Sequence, residues 1–148
     1  MTSPSKRTRS NAVRRDIVKR PTVNQILIVD DSPTIRRMVK ASLAALSGPC
    51  EFVEASSGLE AIERLALGPV ELMVLDLNMP DMHGLEVLGF VRSHSKYRQV
   101  PVIILTTRGD EASRAAALQA GATAYLTKPF TPGSLATKAR ELLEHWPQ

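Results

Sequence analysis

From Gln25 onward, short apolar runs alternate with stretches in which the apolar residues are spaced as on a helix. Ile26-Leu27-Ile28-Val29 is continuous and apolar, as expected of a strand covered on both faces. Similar strands are predicted at Glu51–Ala55, Leu72–Leu75, Val102–Leu105 and Ala124–Leu126. The intervals read as helices. Ser32-Pro33 caps and opens the first, with Ile35, Met38, Val39, Leu43 and Leu46 on one face and Gly48-Pro49 ending it. Ser57 and Glu60 have capping-box spacing and open the second, with Leu59, Ile62 and Leu65 inward. Gly84–Ser93 carries Leu85, Leu88 and Val91, and the Ala-rich Asp110–Ala120 is closed by Gly121. Thr131-Pro132 opens a last helix with the stripe Leu135, Ala139, Leu142 and Trp146.

Five βα units in succession predict an α/β fold: a doubly wound, five-stranded parallel sheet with helices on both faces. The chain is long enough for one domain, expected over residues 25–148 with no output domain after it. Residues 1–24 lack this periodicity and are expected to form a flexible extension, with at most a short helix over Asn11–Lys19.

Charge sharpens that division. Of the 19 Lys and Arg residues, seven (Lys6, Arg7, Arg9, Arg14, Arg15, Lys19 and Arg20) precede residue 25, against the single acid Asp16. The extension is therefore +6 and the remainder −2, so the high isoelectric point belongs to the tail. The tail has no interleaved aromatics for stacking on bases, so any nucleic-acid contact would be to phosphates and sensitive to salt; an acidic protein partner fits equally well, and nucleic acid is not the expected partner. The one cysteine, Cys50, cannot form an intramolecular disulfide and is expected to be a small buried hydrophobe. No signal peptide or bilayer-length apolar run is evident, and a cytoplasmic protein with no membrane insertion is expected.

In parallel α/β sheets, ligands gather at the carboxyl ends of the strands. Asp30 and Asp31 follow the first strand, Asp76 the third, Thr106 and Thr107 the fourth, and Lys128 the fifth. Three carboxylates crowded at one edge repel one another unless a cation sits among them. Such hard oxygen donors suit Mg²⁺, which keeps several waters and takes few protein ligands. A lysine can pair with an acceptor carboxylate and then with a phosphoryl oxygen, to which a threonine hydroxyl can also donate. The set describes a carboxylate nucleophile for phosphoryl transfer.

The segments Ile26-Leu27-Ile28-Val29-Asp30-Asp31-Ser32, Leu75-Asp76-Leu77-Asn78-Met79-Pro80-Asp81-Met82-His83-Gly84, Leu105-Thr106-Thr107 and Thr127-Lys128-Pro129-Phe130 resemble the receiver domains of two-component response regulators. The likeness covers about residues 25–145 and is greatest to the single-domain, CheY-like chemotaxis regulators. It implies a flavodoxin-like sheet with strand order 2-1-3-4-5, of which CheY is a standard example. It implies a signalling switch and not an enzyme proper. Asp76 would be the phosphoacceptor. Asp31, Asp76 and the backbone carbonyl of Asn78 would ligate Mg²⁺, with Asp30 acting largely through water. Thr106 and Lys128 would contact the phosphoryl group, with a cis Lys128–Pro129 bond. Phosphorylation would draw Thr106 toward the phosphoryl oxygen, and the switch aromatic Tyr125 would fill the space left. The partners implied are a histidine kinase of the chemotaxis type and a downstream protein bound by the fourth helix, fifth strand and last helix. Two positions depart from the usual pattern. His83 stands where Asp is common, with a small effect expected. Thr107 stands where Ala is frequent and could slow access to the site.

Taken singly, these residues have plainer readings. An Asp-Asp pair after a strand is more often a helix cap, Lys128 a solvated charge, Thr106 strand filler and Tyr125 packing. His83, His94 and His145 lack metal-ligand spacing and read as surface residues. The joint occurrence at four strand ends, in order, sets the sharper reading apart. Rival functions differ in testable ways. An aspartyl-phosphate phosphatase would carry Asp-x-Asp on the first strand, where Asp30-Asp31-Ser32 stands. A nucleotide-binding domain would need glycines there. The remaining alternative is a scaffold or adaptor acting mainly through the basic tail.

Overall fold

A computed structural model describes residues 23–46 and 48–144. The basic tail before Val23, with the short helix expected over Asn11–Lys19, lies outside the described residues, as do His145 and Trp146. Five parallel strands, β1 (Asn24–Val29), β2 (Cys50–Ala55), β3 (Leu72–Leu75), β4 (Val102–Thr106) and β5 (Ala124–Thr127), lie in the order β2-β1-β3-β4-β5. The helices between and after them are α1 (Pro33–Leu43), α2 (Gly58–Leu67), α3 (Gly84–Ser93), α4 (Glu111–Gln119) and α5 (Pro132–Glu144). This is the flavodoxin-like, doubly wound α/β fold. No helix among the described residues is long and apolar enough to cross a membrane.

Alternation along the strands divides the core between the two faces. Leu27, Val29, Met73, Leu75 and Ile104 pack under α2 and α3 through Ala61, Leu65, Val87, Leu88 and Val91. Ile26, Ile28, Val74, Ile103 and Leu105 face α1 and α5 through Val39, Leu43, Leu135 and Ala139. Strand β1 starts earlier than its apolar run, because Asn24 and Gln25 still pair with Cys50 and Glu51. α5 opens as expected, with Thr131 Oγ1 accepting the Ser134 N–H.

Three inward assignments are corrected. Leu59 is 58% exposed and Met38 44% exposed. At about 100° per residue, a helix that buries Ala61 and Leu65 turns Leu59 to the opposite side. Cys50 is only half-buried, at the start of edge strand β2, although burial still pushes its thiol pKa up. Helix α4 lies lightly on the sheet: Ala117 is its one fully buried residue.

Candidate functional site

The carboxyl ends of β1, β3, β4 and β5 converge because these strands are neighbours in the sheet. At the first, Ser32 caps α1 by accepting the Ile35 N–H, so the chain turns sharply just after the two aspartates. Asp30 is buried, and its Oδ1 accepts the Ser32 N–H at 2.9 Å. Asp31 is exposed. Arg36 reaches back from α1 to donate to the Asp30 carbonyl at 2.6 Å, while its Nε meets Glu54 of β2 at 2.8 Å. Lys40 bonds the other Glu54 oxygen at 2.8 Å.

These two cations hold the Glu54 carboxyl below the usual range, Lys40 more than Arg36. A depressed carboxylate pKa stabilises the fold above the ordinary value of 4.5, and that stability is lost as pH falls through the folded value. Glu54 is about a third exposed, so solvent screens the effect. Glu54→Gln should therefore lower stability at pH 7 by under about 1 kcal/mol and flatten its decline below pH 4.5. Chemical denaturation at pH 3.5 and 7 measures both.

At the end of β3, Asp76 is buried, with the N–H groups of Leu77 and Asn78 near enough to favour its ionised carboxyl. Burial raises its pKa, and the Asp30 charge adds to that, while Lys128 and the two N–H groups pull the other way. Asn78 is exposed in the following loop, and His83 Nδ1 accepts the Leu85 N–H at 3.1 Å. His83 thus caps α3 from the position where an Asp is common.

The loop closes where Gly84 donates its N–H to Leu77 O at 2.7 Å. A Cβ on Gly84 would lie 2.4 Å from Asp76 O and 2.7 Å from Leu77 Cα. Backbone atoms cannot swing aside, so Gly84→Ala must push the Asp76–Leu77 segment. The expected loss is about 1–3 kcal/mol, with weakened cation binding, readable by thermal unfolding and calorimetry.

The last two strand ends complete the set. Lys128 is largely buried, and the Lys128–Pro129 peptide is cis. Its ammonium lies 2.7 Å from Asp30 Oδ2 and 3.7 Å from Asp76 Oδ2. Its nearer partner is therefore Asp30, not Asp76. Thr106 is fully buried, and its hydroxyl accepts the Arg108 N–H at 3.4 Å; Thr107 is exposed. The Tyr125 hydroxyl donates to the Arg108 carbonyl, and the Arg114 guanidinium lies 5.9 Å from the Tyr125 ring centroid. Tyr125 sits inward and is 7% exposed.

Asp30, Asp31 and Asp76 each offer an oxygen, and the three lie within 4.8 Å of one another. All-carboxylate donors at that spacing fit a hard divalent cation with several waters. Asp30 has one oxygen on Ser32 and the other on Lys128, so it suits a water-mediated role better than Asp31 or Asp76. The sequence named every residue of this cluster. It missed the supports Arg36 and Glu54, whose partners lie on other elements.

The defining sequence pattern of the response regulator receiver domain matches residues 26–140. The chain belongs to that family. It is 42% identical over 120 residues to the chemotaxis protein CheY1 of Helicobacter pylori, covering 80% of this chain and 96% of that protein. Among solved structures, the chemotaxis response regulator CheY4 of Vibrio cholerae superposes with a TM-score of 0.75 at 34% identity, covering 82% of this chain and all of that one. The Mn²⁺-bound form of response regulator Rcp1 matches with a TM-score of 0.69 at 28% identity over 85% of this chain and 94% of its own. CheY-like receivers are signalling switches and not enzymes in the ordinary sense.

Proposed function

We propose that this chain is a cytoplasmic phosphorylation switch in which Asp76 takes a phosphoryl group from the phosphohistidine of a chemotaxis-type kinase. The observation that carries the reading is the convergence of three carboxylates, a largely buried lysine and a buried threonine on four adjacent strand ends. An Asp76 oxygen attacks phosphorus. The bond from phosphorus to the donor nitrogen breaks, and that nitrogen leaves with the electron pair. Asp31, Asp76 and the Asn78 carbonyl would hold Mg²⁺, with Asp30 acting through water. When bound, that ion neutralises charge on the phosphoryl oxygens. Lys128 swings the short distance from Asp30 to a phosphoryl oxygen. Thr106 turns its hydroxyl from the Arg108 N–H toward another.

The Thr106 movement has a route outward. Arg108 accepts the Tyr125 hydroxyl and donates to Thr106, so its backbone links the two side chains. Thr106 leaving Arg108 changes the support under Tyr125 and under the lightly held α4. The responsive face would be α4, β5 and α5, and its target a downstream protein.

Incubation with a small acyl phosphate and Mg²⁺ should add one phosphoryl group, mapped to Asp76 by mass spectrometry. Modification of a different residue, or none, would refute the reading. The basic tail supports a second, compatible role in holding an acidic partner. Deleting residues 1–22 should leave uptake intact while weakening partner recovery at low salt. The cut spares Asn24, whose N–H bonds Pro49 O. Unchanged recovery at low and high salt would make the tail a passive extension.

A further inference from the structure

The loop from Leu77 to Gly84 is pinned in two places. Its ends are drawn together by the Gly84 N–H on Leu77 O. Its tip is held by Asp81, which crosses to the N-terminus of α2. There Oδ1 accepts the Gly58 N–H and Oδ2 the Leu59 N–H, both at 3.0 Å. These two bonds keep the Asp81 carboxyl ionised to lower pH than usual. The fit beside them is tight: a Cβ on Gly58 would stand 2.7 Å from Met82 Cβ. Helix α2 already has a local cap, since Ser57 Oγ accepts the Glu60 N–H at 3.1 Å. Asp81 is a second, tertiary cap supplied by the acceptor loop, and its effect runs both ways. It satisfies the helix, and it fixes the loop.

We propose that Asp81 is a positioning residue for the cation and phosphoryl site, acting through the backbone of its loop. That loop follows Asp76 directly and closes against its backbone, with Gly84 packed on Asp76 O and bonded to Leu77 O, and its Leu77 and Asn78 N–H groups favour the Asp76 carboxylate. Asn78 lies three residues from the anchor. Releasing the tip lets these groups wander, and the two oxygens a cation needs lose their shared orientation. Outer supports of metal ligands commonly account for ten- to a hundredfold in affinity. Asp81 acts one step further out, so about tenfold is expected. The inference rests on the proposed cation site and adds to it a residue that touches neither cation nor phosphoryl group.

The test compares the wild type, Asp81→Ala, Asp81→Asn and Ser57→Ala by calorimetric titration with Mg²⁺ and by thermal unfolding. Asp81→Ala should bind Mg²⁺ about tenfold more weakly. Asp81→Asn, which keeps one acceptor oxygen, should recover part of the affinity. Ser57→Ala removes a cap from the same helix without touching the loop, so it should lower the melting temperature and leave Mg²⁺ affinity unchanged. Equal affinity in the wild type and Asp81→Ala would overturn the proposal, as would equal loss in Asp81→Ala and Ser57→Ala. A wild type that binds no divalent cation would instead overturn the proposed cation site itself.

Discussion

Asp76→Asn should abolish phosphoryl uptake and at the same time make the cation-free protein more stable. The first effect follows from losing the nucleophilic charge while keeping the shape. The second follows from what surrounds the carboxylate. Asp76 is buried, and burial is the main force raising its pKa, with the nearby Asp30 charge reinforcing it. A carboxyl whose folded pKa lies above its unfolded value of 3.8 withdraws stability as pH rises past that value. The penalty therefore grows as pH rises toward neutrality. Asparagine removes it, leaving Lys128 to the partner it already prefers, Asp30, at 2.7 Å. A gain of about 1–2 kcal/mol is expected at pH 7, shrinking toward pH 3. Mg²⁺ should reverse the ranking. The wild type gains stability as its site fills, by mass action, while the variant gains little. Thermal unfolding with and without Mg²⁺, beside a phosphorylation assay, reads all three outcomes. A variant less stable than the wild type without cation would show that the crowded carboxylates are not strained.

Arg92→Ala should be among the most damaging substitutions away from the site. Arg92 leaves α3 and gathers two loops with one guanidinium. Its Nε donates to Gly121 O at 2.8 Å, Nη1 to Val100 O at 2.6 Å and Arg98 O at 3.0 Å, and Nη2 to Thr123 Oγ1 at 3.2 Å. Gly121 is built for this approach. Its φ is +108°, and a Cβ there would meet Arg92 Cγ at 2.8 Å. Truncation leaves several carbonyls without a partner, at a cost of about 3 kcal/mol. For a domain of this size that lowers the melting temperature by roughly 10 °C. Arg92→Lys should recover little, because one ammonium cannot span a fork of separated acceptors. Phosphoryl uptake below the lowered melting point should survive. A shift of only a degree or two would mean that water replaces the guanidinium.

Arg92 also marks the limit of what the sequence discloses. Strands β1, β3 and β4 were legible because each is a dense apolar run, and local spacing places Asp30, Asp31, Asp76, Thr106 and Lys128 at strand ends. The capping box at Ser57 was legible for the same reason, since both partners lie within one turn. Long-range polar bonds leave no such trace. Asp81 meets backbone groups more than twenty residues earlier, and any residue has a backbone N–H. Helix faces were legible only in part. A window containing Leu59, Ile62 and Leu65 suits more than one rotation, and the helix settled on Ala61 and Leu65. That Lys128 chooses Asp30 over Asp76 is a matter of about one ångström, which spacing cannot register.

The Asp30–Lys128 pair spans 98 positions and has a meaning in time as well as in space. A ribosome delivers Asp76 well before Lys128, with fifty-two residues still to add. At about 5–20 residues per second, that is an interval of roughly 3–10 s. Throughout it the nascent chain owns Asp76 but not the lysine that neighbours it. Strand β5 must also emerge and dock before Tyr125 can reach Arg108. A nascent chain that has not yet reached β5 therefore lacks both the lysine beside Asp30 and the bond from Tyr125 to Arg108, so the cluster at the strand ends cannot close until the fifth strand is made and docked.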